Sequence, residues 1–469
     1  MKNTFDLIVV GAGTAGCILA KKTSEAGYRV ALLDVKKRKQ IGYNWDIAVE
    51  KHIFGRISLK TPKKTLLSEI PTQYRFYSEH PNRYIRMNAT EDSVFYIKHR
   101  HLNQLLLRMA IESGVHFLEN HDAKEIIIKD TIVRGVCGIL KGLFKPTYFS
   151  LKSKITADAT GFNRTLTKQT PQEFMIQPFI EKQDMVSAWQ EEREIESKHK
   201  EKVIDSLGIL PGIFYTCLGD DNAYHMMFLR KNNTLLLIFA IPEEGNRPRA
   251  KQYCEAFLQN HPNIGKRISN GGKTIPVRHS IDTMVGNGFL CLGDAACQNV
   301  PITGSGVSSS LYAADIAAST ITKALNSDNV SIGSLWSYNH NYQAKRGAIM
   351  ASYDIIRLFL QHLGIKKLSR IIRSGLFYDD NFLQLYSSNQ INYNINHIAD
   401  VLGKIFANPG LLPVGVNIAQ TVVDSNRVSQ LYQKYPRHCN KAEFFQWRYN
   451  VNRYFKKYHY YKEFAVDYV

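Results

Sequence analysis

Thr4-Phe-Asp-Leu-Ile-Val-Val10, followed without a break by Gly11-Ala-Gly-Thr-Ala-Gly16, decides how the rest of the chain is read. The first part is a short, apolar, β-branched run ending at glycine, the pattern of a buried strand. Cys17-Ile-Leu-Ala-Lys-Lys-Thr-Ser-Glu-Ala26 then carries helix-forming residues, and Gly27 is placed to cap it. Arg29-Val-Ala-Leu-Leu-Asp34 is a second strand that ends on a carboxylate. Strand, glycine turn, helix, strand and terminal acid in this register form a dinucleotide-binding βαβ unit. Gly11 permits the tight turn, Gly13 lets the backbone approach a pyrophosphate, and Gly16 lets helix and strand pack closely. Thr14 and Ala15 open the helix, whose free N–H groups face the phosphates. Asp34 is placed to accept hydrogen bonds from the adenosine ribose. The adjacent Val35-Lys-Lys-Arg-Lys39 could meet a 2′-phosphate, but a solvated basic loop is the better reading.

Two further glycine–aspartate motifs follow. Three β-rich runs at 124–130, 131–140 and 147–152 lead into Ser153-Lys-Ile-Thr-Ala-Asp-Ala-Thr-Gly-Phe162, a strand ending in Asp158 and Gly161. Asn287-Gly-Phe-Leu-Cys-Leu-Gly-Asp-Ala-Ala296 is another strand, ending at Gly293 and Asp294. It runs into Cys297-Gln-Asn-Val-Pro-Ile-Thr-Gly-Ser-Gly-Val307 and a small-residue helix over 308–325.

With these three motifs in this order, the sequence resembles the glutathione-reductase-type FAD oxidoreductases, in the branch shared by aromatic-ring hydroxylases, flavin halogenases and geranylgeranyl reductases. The likeness covers about residues 4–34, 92–165 and 275–330. The form GDAAxQxxPxTGxG, here Gly293 to Gly306, looks most like geranylgeranyl reductases; hydroxylases usually carry His where this chain has Cys297. The resemblance implies an α/β fold: a Rossmann-like FAD-binding domain, an antiparallel substrate sheet and a helical C-terminal extension. It implies that Asp294 binds the flavin ribityl chain and that the segment Gly304, Ser305, Gly306 and Val307 aims a helix N-terminus at the flavin, stabilising charge on the reduced ring. At 88–107 the family carries an arginine before a helix that contacts the FAD phosphates. Here His99 stands in its place, and Arg100 beside it is expected to make the contact. The domain division that follows is 1–165 with 276–330 for FAD, 166–275 for a substrate sheet, and 331–469 for a helical C-terminal region.

Runs at 213–218, 224–229 and 234–240 supply that sheet. Geranylgeranyl reductases carry YxWxFPxG there; this chain keeps Tyr224 and Phe228 but has Met226 for the tryptophan and Leu229 for the proline. Tyr224, Met226 and Phe228 are substrate candidates, together with Trp45 and Pro301. Packing of a core face explains the first three equally well. Tyr215, Tyr224 and His225 are proton-donor candidates only by their nearness to this sheet, and catalytic residues stay unassigned. The family's cysteine loop after the second strand is here Ile41-Gly-Tyr-Asn-Trp-Asp-Ile-Ala48, without cysteine; Asn44, Trp45 and Asp46 could line the flavin face instead. No third GxGxxG follows a strand, so electrons would come from transiently bound NAD(P)H or from a protein such as reduced ferredoxin. The leading expectation is hydride transfer from reduced flavin to a double bond of an apolar, isoprenoid-like substrate. The alternatives are a flavin monooxygenase or halogenase, and a non-catalytic flavin-fold protein that binds prenyl groups or a membrane.

Composition narrows the partners. The 469 residues hold 60 Lys+Arg against 41 Asp+Glu, a formal charge of +19. Seven scattered cysteines, without a CxxC, fit reduced thiols rather than disulfides or zinc. No apolar stretch reaches the length of a bilayer span, and the run 7–10 leads into a glycine loop rather than a signal-peptide cleavage site. A cytoplasmic location with contact to a membrane surface is expected, and no metal. Helix dominates 331–469, with an apolar face at Ile349, Ile356, Phe359, Leu360 and Leu363, and breaks at Gly375, Asn408-Pro-Gly410 and Pro436. From 437 to 462 there are seven Lys/Arg, one acid and nine aromatics, including Trp447, Tyr449, Phe455 and Tyr461. That mixture suits an amphipathic helix docked on the body, or an anionic membrane interface. It would also suit single-stranded nucleic acid, but no nucleic-acid-binding motif appears and none is expected as partner. The excess charge would equally receive an acidic electron-transfer protein.

Overall fold

The first strand, Thr4–Val10, is buried on both faces, which is why its apolar run does not alternate. It pairs in parallel with Val30–Leu33 on one side and Thr147–Asp158 on the other. This computed structural model describes residues 4–77, 84–88, 94–142, 145–218, 223–243, 249–374 and 412–459. The eight-stranded sheet built on Thr4–Val10 runs in the order Val285–Gly286, Phe289–Cys291, Thr147–Asp158, Thr4–Val10, Val30–Leu33, His116–Leu118. Ile132–Leu140 and His121–Lys129 branch from it as an antiparallel meander. The helices Thr14–Glu25, His99–Glu112 and Val307–Asn326 pack together beside this sheet, the first of them against both others. Small residues on Val307–Asn326 allow the close approach: Ala313, Ala314 and Ala317 are fully buried.

The second sheet has seven strands in the order Arg267–Pro276, Met185–Glu194, Thr234–Pro242, Tyr224–Leu229, Ile213–Leu218, Gln73–Tyr77, Tyr84–Asn88. Every pairing is antiparallel except that of Ile213–Leu218 with Gln73–Tyr77. The last two strands come from within residues 1–165, so the chain enters this sheet before it completes the nucleotide fold. Alternation gives the sheet two apolar faces. Tyr215, Met227, Leu229, Leu235, Leu237 and Phe239 pack on one side with the helix Ala250–Asn260, while Phe214, Phe228 and Leu236 face the other with Met226 and Ile238. A three-stranded sheet, Asp46–Glu50, Val94–Lys98 and Leu67–Ser68, adjoins that second face; Tyr96 there bonds Tyr74 of the large sheet, hydroxyl to hydroxyl, at 2.9 Å.

The long helix Ala348–Ser374 is kinked at Gly364, whose φ is 71°. Its first limb has two working faces: Ile349, Met350, Tyr353, Ile356 and Leu360 border a cavity, while Asp354 and Arg357 are buried on the other side. Phe359 and Leu363 pack into the core instead of the cavity. Asp354 accepts from the His279 amide (2.8 Å) and from its Nδ1 (2.6 Å), and pairs with Arg357 at 2.6 Å. Arg357 reaches Asp184 at 3.0 Å, and Arg278 donates to His279 Nε2 at 2.8 Å. The network ties the helix to the Met185–Glu194 strand just beyond Asp184.

These bonds make the fold acid-sensitive. Burial and the neighbouring Arg278 hold the His279 pKa below its ordinary value, so the folded ring is neutral. An unfolded histidine takes up its proton near pH 6.5. Stability is therefore present above that pH and lost as pH falls below it, by about 1.4 kcal/mol per pH unit from this residue. Asp354 adds a loss at lower pH: burial would raise its carboxyl, but Arg357 and His279 outweigh burial and hold it low, so its contribution disappears as pH falls through the carboxylate range. Urea unfolding at pH 7, 6 and 5 is expected to show a falling free energy, and a flat profile would refute the assignment.

The C-terminal helix Lys441–His459 docks on the body. Phe444, Trp447, Val451, Phe455 and Tyr458 form its buried stripe, and Trp447 Nε1 donates to the Leu431 carbonyl at 3.0 Å. Phe455 stacks on His279 with centroids 3.9 Å apart. Arg448 pairs with Asp282 and Lys457 with Asp424. Trp447 and Phe455 thus serve the core, whereas Tyr449 and Phe445 are exposed. Gly375, Asn408-Pro-Gly410 and Tyr461 lie outside the described residues. Among the described residues no helix is long and apolar enough to cross a membrane.

Candidate functional site

A cavity of about 580 Å³ runs from the first glycine turn to the space between the seven-stranded sheet and the long helix. At its polar end the turn is shaped by close contacts. A Cβ on Gly11, which has φ +108°, would lie 2.2 Å from the Ala159 carbonyl oxygen, and one on Gly16 would lie 1.9 Å from that of Gly11. A Cβ on Gly13 would meet nothing within 4 Å. No side chain caps the helix Thr14–Glu25, so its first amides are left for a ligand. Thr14 Oγ1 is fixed by buried Asn103 Oδ1 at 2.7 Å. Asp34 accepts from the amides of Ala12 and Lys36, both at 2.8 Å, which orients its carboxylate at the cavity edge.

The middle of the cavity is formed by Gly293, Asp294, Gly304, Ser305, Gly306 and Val307. Gly306 has no room for a side chain, because Asn299 Oδ1 lies 1.9 Å from where a Cβ would stand. The helix Val307–Asn326 starts here and also lacks a side-chain cap. Asp294 pairs with Lys273 at 2.6 Å; burial would raise its pKa, but the lysine outweighs burial and holds the carboxylate ionised. Tyr43 stacks on Trp45 with centroids 4.6 Å apart and on His99 at 5.3 Å. His99 Nδ1 accepts from the Tyr43 amide at 3.1 Å; burial and Lys273 push its pKa down to about 3, so the ring is neutral.

The far end is apolar. Ala188, Phe214, Met226, Leu236, Ile238 and Ala240 line it from the sheet, opposite the five residues of the long helix. A buried ion pair, Glu50 with Arg346 at 2.6 Å, borders the same space near Ser308. Arg346 lies in a single π-helical turn, Gln343–Gly347.

Of the residues singled out from the sequence, Gly11, Gly13, Thr14, Ala15, Asp34, Gly161, Gly293, Asp294, Gly304, Ser305, Gly306, Val307, Trp45 and Met226 border the cavity. Gly16 lies behind the turn. Asp158 points away, accepting from Thr160, Leu166 and Thr167, and so clamps the loop that carries Gly161. Arg100 presses its backbone on Gly42, and it is His99 that borders the cavity. Pro301 is buried between Val300 and Ile302, which line the cavity in its stead. Tyr224 and Phe228 pack beside Met226 rather than against the open space, and burial pushes the Tyr224 hydroxyl up to about 12. Tyr215 and His225 are on the opposite face of the sheet; His225 rests on Phe239 and Phe257. Lys273, Tyr43 and the Glu50–Arg346 pair escaped notice in the sequence, where no motif marks them.

Fold and cavity together define an FAD-binding flavoprotein architecture of the glutathione-reductase and p-hydroxybenzoate-hydroxylase type, and the glycine cradle and the two carboxylates fit that cofactor. No protein-family model matches the chain. Over nearly its whole length it is similar to a protein named as a digeranylgeranylglycerophospholipid reductase. It is 24% identical over 456 residues to the digeranylgeranylglycerophospholipid reductase of Sulfolobus acidocaldarius, covering 96% of both chains. It is 26% identical over 369 residues to digeranylgeranylglycerophospholipid reductase 1 of Methanococcoides burtonii, covering 76% of this chain and 84% of that one. Among solved structures, a geranylgeranyl bacteriochlorophyll reductase-like protein of Thermoplasma acidophilum superposes with a TM-score of 0.68 at 16% identity, covering 86% of this chain and 96% of that one. The flavin-dependent brominase Bmp2 superposes at 0.59 and 14%, covering 97% and 100%.

Proposed function

We propose that this protein is an FAD-dependent oxidoreductase that reduces carbon–carbon double bonds of an isoprenoid-like substrate. The observation that carries this reading is the continuity of one cavity from the glycine cradle to a wall of apolar side chains on the sheet and the long helix. The names of the related reductases point the same way. Bound flavin would supply the hydride. The chain's own residues do the rest. The amides at Gly13 and Thr14 hold the pyrophosphate, Asp34 the adenosine ribose and Asp294 the ribityl chain. The uncapped helix start at Val307 favours negative charge beside it. Met226, Ile238 and Ala240 oppose Ile349 and Ile356, orienting a hydrocarbon chain and excluding water from the reacting carbons. A proton must reach the second carbon; Tyr96 and Tyr353 are phenols bordering that space.

The electron donor would be NAD(P)H bound transiently or an acidic protein such as reduced ferredoxin, the latter favoured by the +19 charge. A lipid substrate would be drawn from an anionic membrane surface, and exposed Phe445 and Tyr449 support such a contact. The test is anaerobic: chemically reduced, FAD-loaded protein with a prenyl lipid in vesicles, and products weighed by mass spectrometry. Gain of one hydrogen pair per double bond is expected. A product that instead gains oxygen or halide, and only in air, would overturn this reading in favour of a monooxygenase or halogenase.

A further inference from the structure

We infer that Lys273, carried into the cofactor site by the seven-stranded sheet, is the cation that offsets FAD's negative charge and positions its ribityl–flavin portion. The inference rests on the FAD reading above. Strand register places the residue: Lys273 pairs with Ala188, two positions from Gly271, against whose bare backbone Trp45 lies. Gly271, Lys273 and Ile275 share one face of the strand Arg267–Pro276, and Lys273 and Ile275 line the cavity. Lys273 Nζ is 2.6 Å from Asp294 Oδ2 and 5.6 Å from the Tyr43 ring centroid.

The charge inventory explains why this cation matters. The charged and imidazole side chains bordering the polar and middle parts of the cavity are Asp34, Lys36, Asp46, Glu50, His99, His121, Asp122, Lys273, Asp294 and Arg346, the last of them held by Glu50. Asp46 is already paired with Arg230 and Lys98, and Asp122 with Lys124 and Lys141. His99 is neutral, because it is buried, two lysines face it and its Nδ1 accepts a backbone hydrogen bond. Lys36 lies over Tyr43 at 4.6 Å, next to Asp34 at the adenosine end. Lys273 is therefore the cation in direct contact with Asp294, where the ribityl chain and the charge left by flavin reduction would both be accommodated. Asp294 can serve a ribityl hydroxyl through one oxygen while Lys273 keeps the other. An ammonium so placed strengthens binding of the whole cofactor and stabilises its reduced form relative to the oxidised. Because the lysine belongs to the sheet that also walls the apolar end, it links the cofactor part of the cavity to the substrate part.

The experiment compares wild type, Lys273→Met and Lys273→Arg. FAD affinity is measured by fluorescence quenching, and the flavin midpoint potential by dye-linked reduction. Lys273→Met is expected to weaken FAD binding by 10- to 100-fold and to make the potential more negative, and Lys273→Arg to restore most of both. Lys273→Gln replaces the methionine variant if the latter does not fold. Unchanged affinity and potential would overturn the inference. Tighter binding by the methionine variant would also overturn it, since Lys273 would then be a latch on Asp294 that FAD must displace. Wild-type protein that binds no FAD would overturn the FAD reading itself, and this inference with it.

Discussion

Gly13→Val is expected to give a folded protein that no longer binds FAD. Gly13 has φ −75° and ψ −176°, extended backbone open to any residue, and its added Cβ would meet no protein atom within 4 Å. Valine at a helix N-cap costs about 1 kcal/mol. The restricted unfolded chain returns about 0.4–1 kcal/mol of that, so unfolding free energy changes by about 1 kcal/mol or less. The vacant space beside Gly13 is where a pyrophosphate would touch backbone, and an isopropyl group there excludes it. Affinity for FAD falls by at least ~100-fold, about 2.7 kcal/mol. Gly16→Val is the contrast. Its Cβ would sit 1.9 Å from the Gly11 carbonyl oxygen, so helix and strand must separate and folding itself suffers. Thermal melts with FAD titrations distinguish the two. Retained FAD binding by Gly13→Val would place the cofactor elsewhere.

The two outcomes show why the nucleotide half was legible in the sequence. Each glycine there answers a local steric demand within one βαβ unit, and a demand of that kind leaves a fixed spacing in the chain. Gly293, Asp294 and Gly306 are of the same sort. The strands at 213–218, 224–229 and 234–240 were legible too, the last running on to Pro242, since alternation and turn residues are local. Contacts made between distant segments were not. Lys273 meets Asp294 only because the two sheets fold against each other, and nothing near residue 273 announces a carboxylate. Gln73–Tyr77 and its neighbour Tyr84–Asn88 join a sheet whose other five strands all begin about a hundred residues later, at Met185 or beyond. Asp158 shows the converse limit. Its motif marks it as a cofactor-binding residue, but its oxygens are taken by the loop's own amides and hydroxyls. The basic, aromatic tail misleads for a third reason. Composition counts its rings, whereas the helical period decides that Phe444, Trp447, Val451, Phe455 and Tyr458 turn inward and leave Tyr449 out.

The largest loss of stability is expected from Asp354→Ala, a residue no motif marks. Asp354 is fully buried, and its two oxygens accept three hydrogen bonds, two from His279 and one from Arg357 Nε, with a second ion-pair contact to Arg357 Nη2 at 2.6 Å. Arg278 and Arg357 balance Asp184 and Asp354 in charge while His279 stays neutral, so removing one carboxylate leaves an uncompensated guanidinium where water cannot follow. Breaking such a pair costs about 3–5 kcal/mol, a large share of the ~5–15 kcal/mol that holds a domain folded. Asp354→Leu with Arg357→Leu removes both charges at once, leaving Asp184 to Arg278, 3.6 Å away. That double variant is expected to be more stable than Asp354→Ala by about 1–3 kcal/mol, because the pair's attraction largely offsets its own desolvation. Urea unfolding of Asp354→Leu, Arg357→Leu and the double variant closes the cycle. Additive losses, or a cost below about 1 kcal/mol for Asp354→Ala, would mean that the pair is not coupled. Coupling has a consequence for the cavity, because the same turns of helix present Tyr353 and Ile356 to it. A helix released from Asp184 and His279 no longer holds that wall against the sheet, so folded Asp354→Ala should lose affinity for a prenyl chain while keeping FAD.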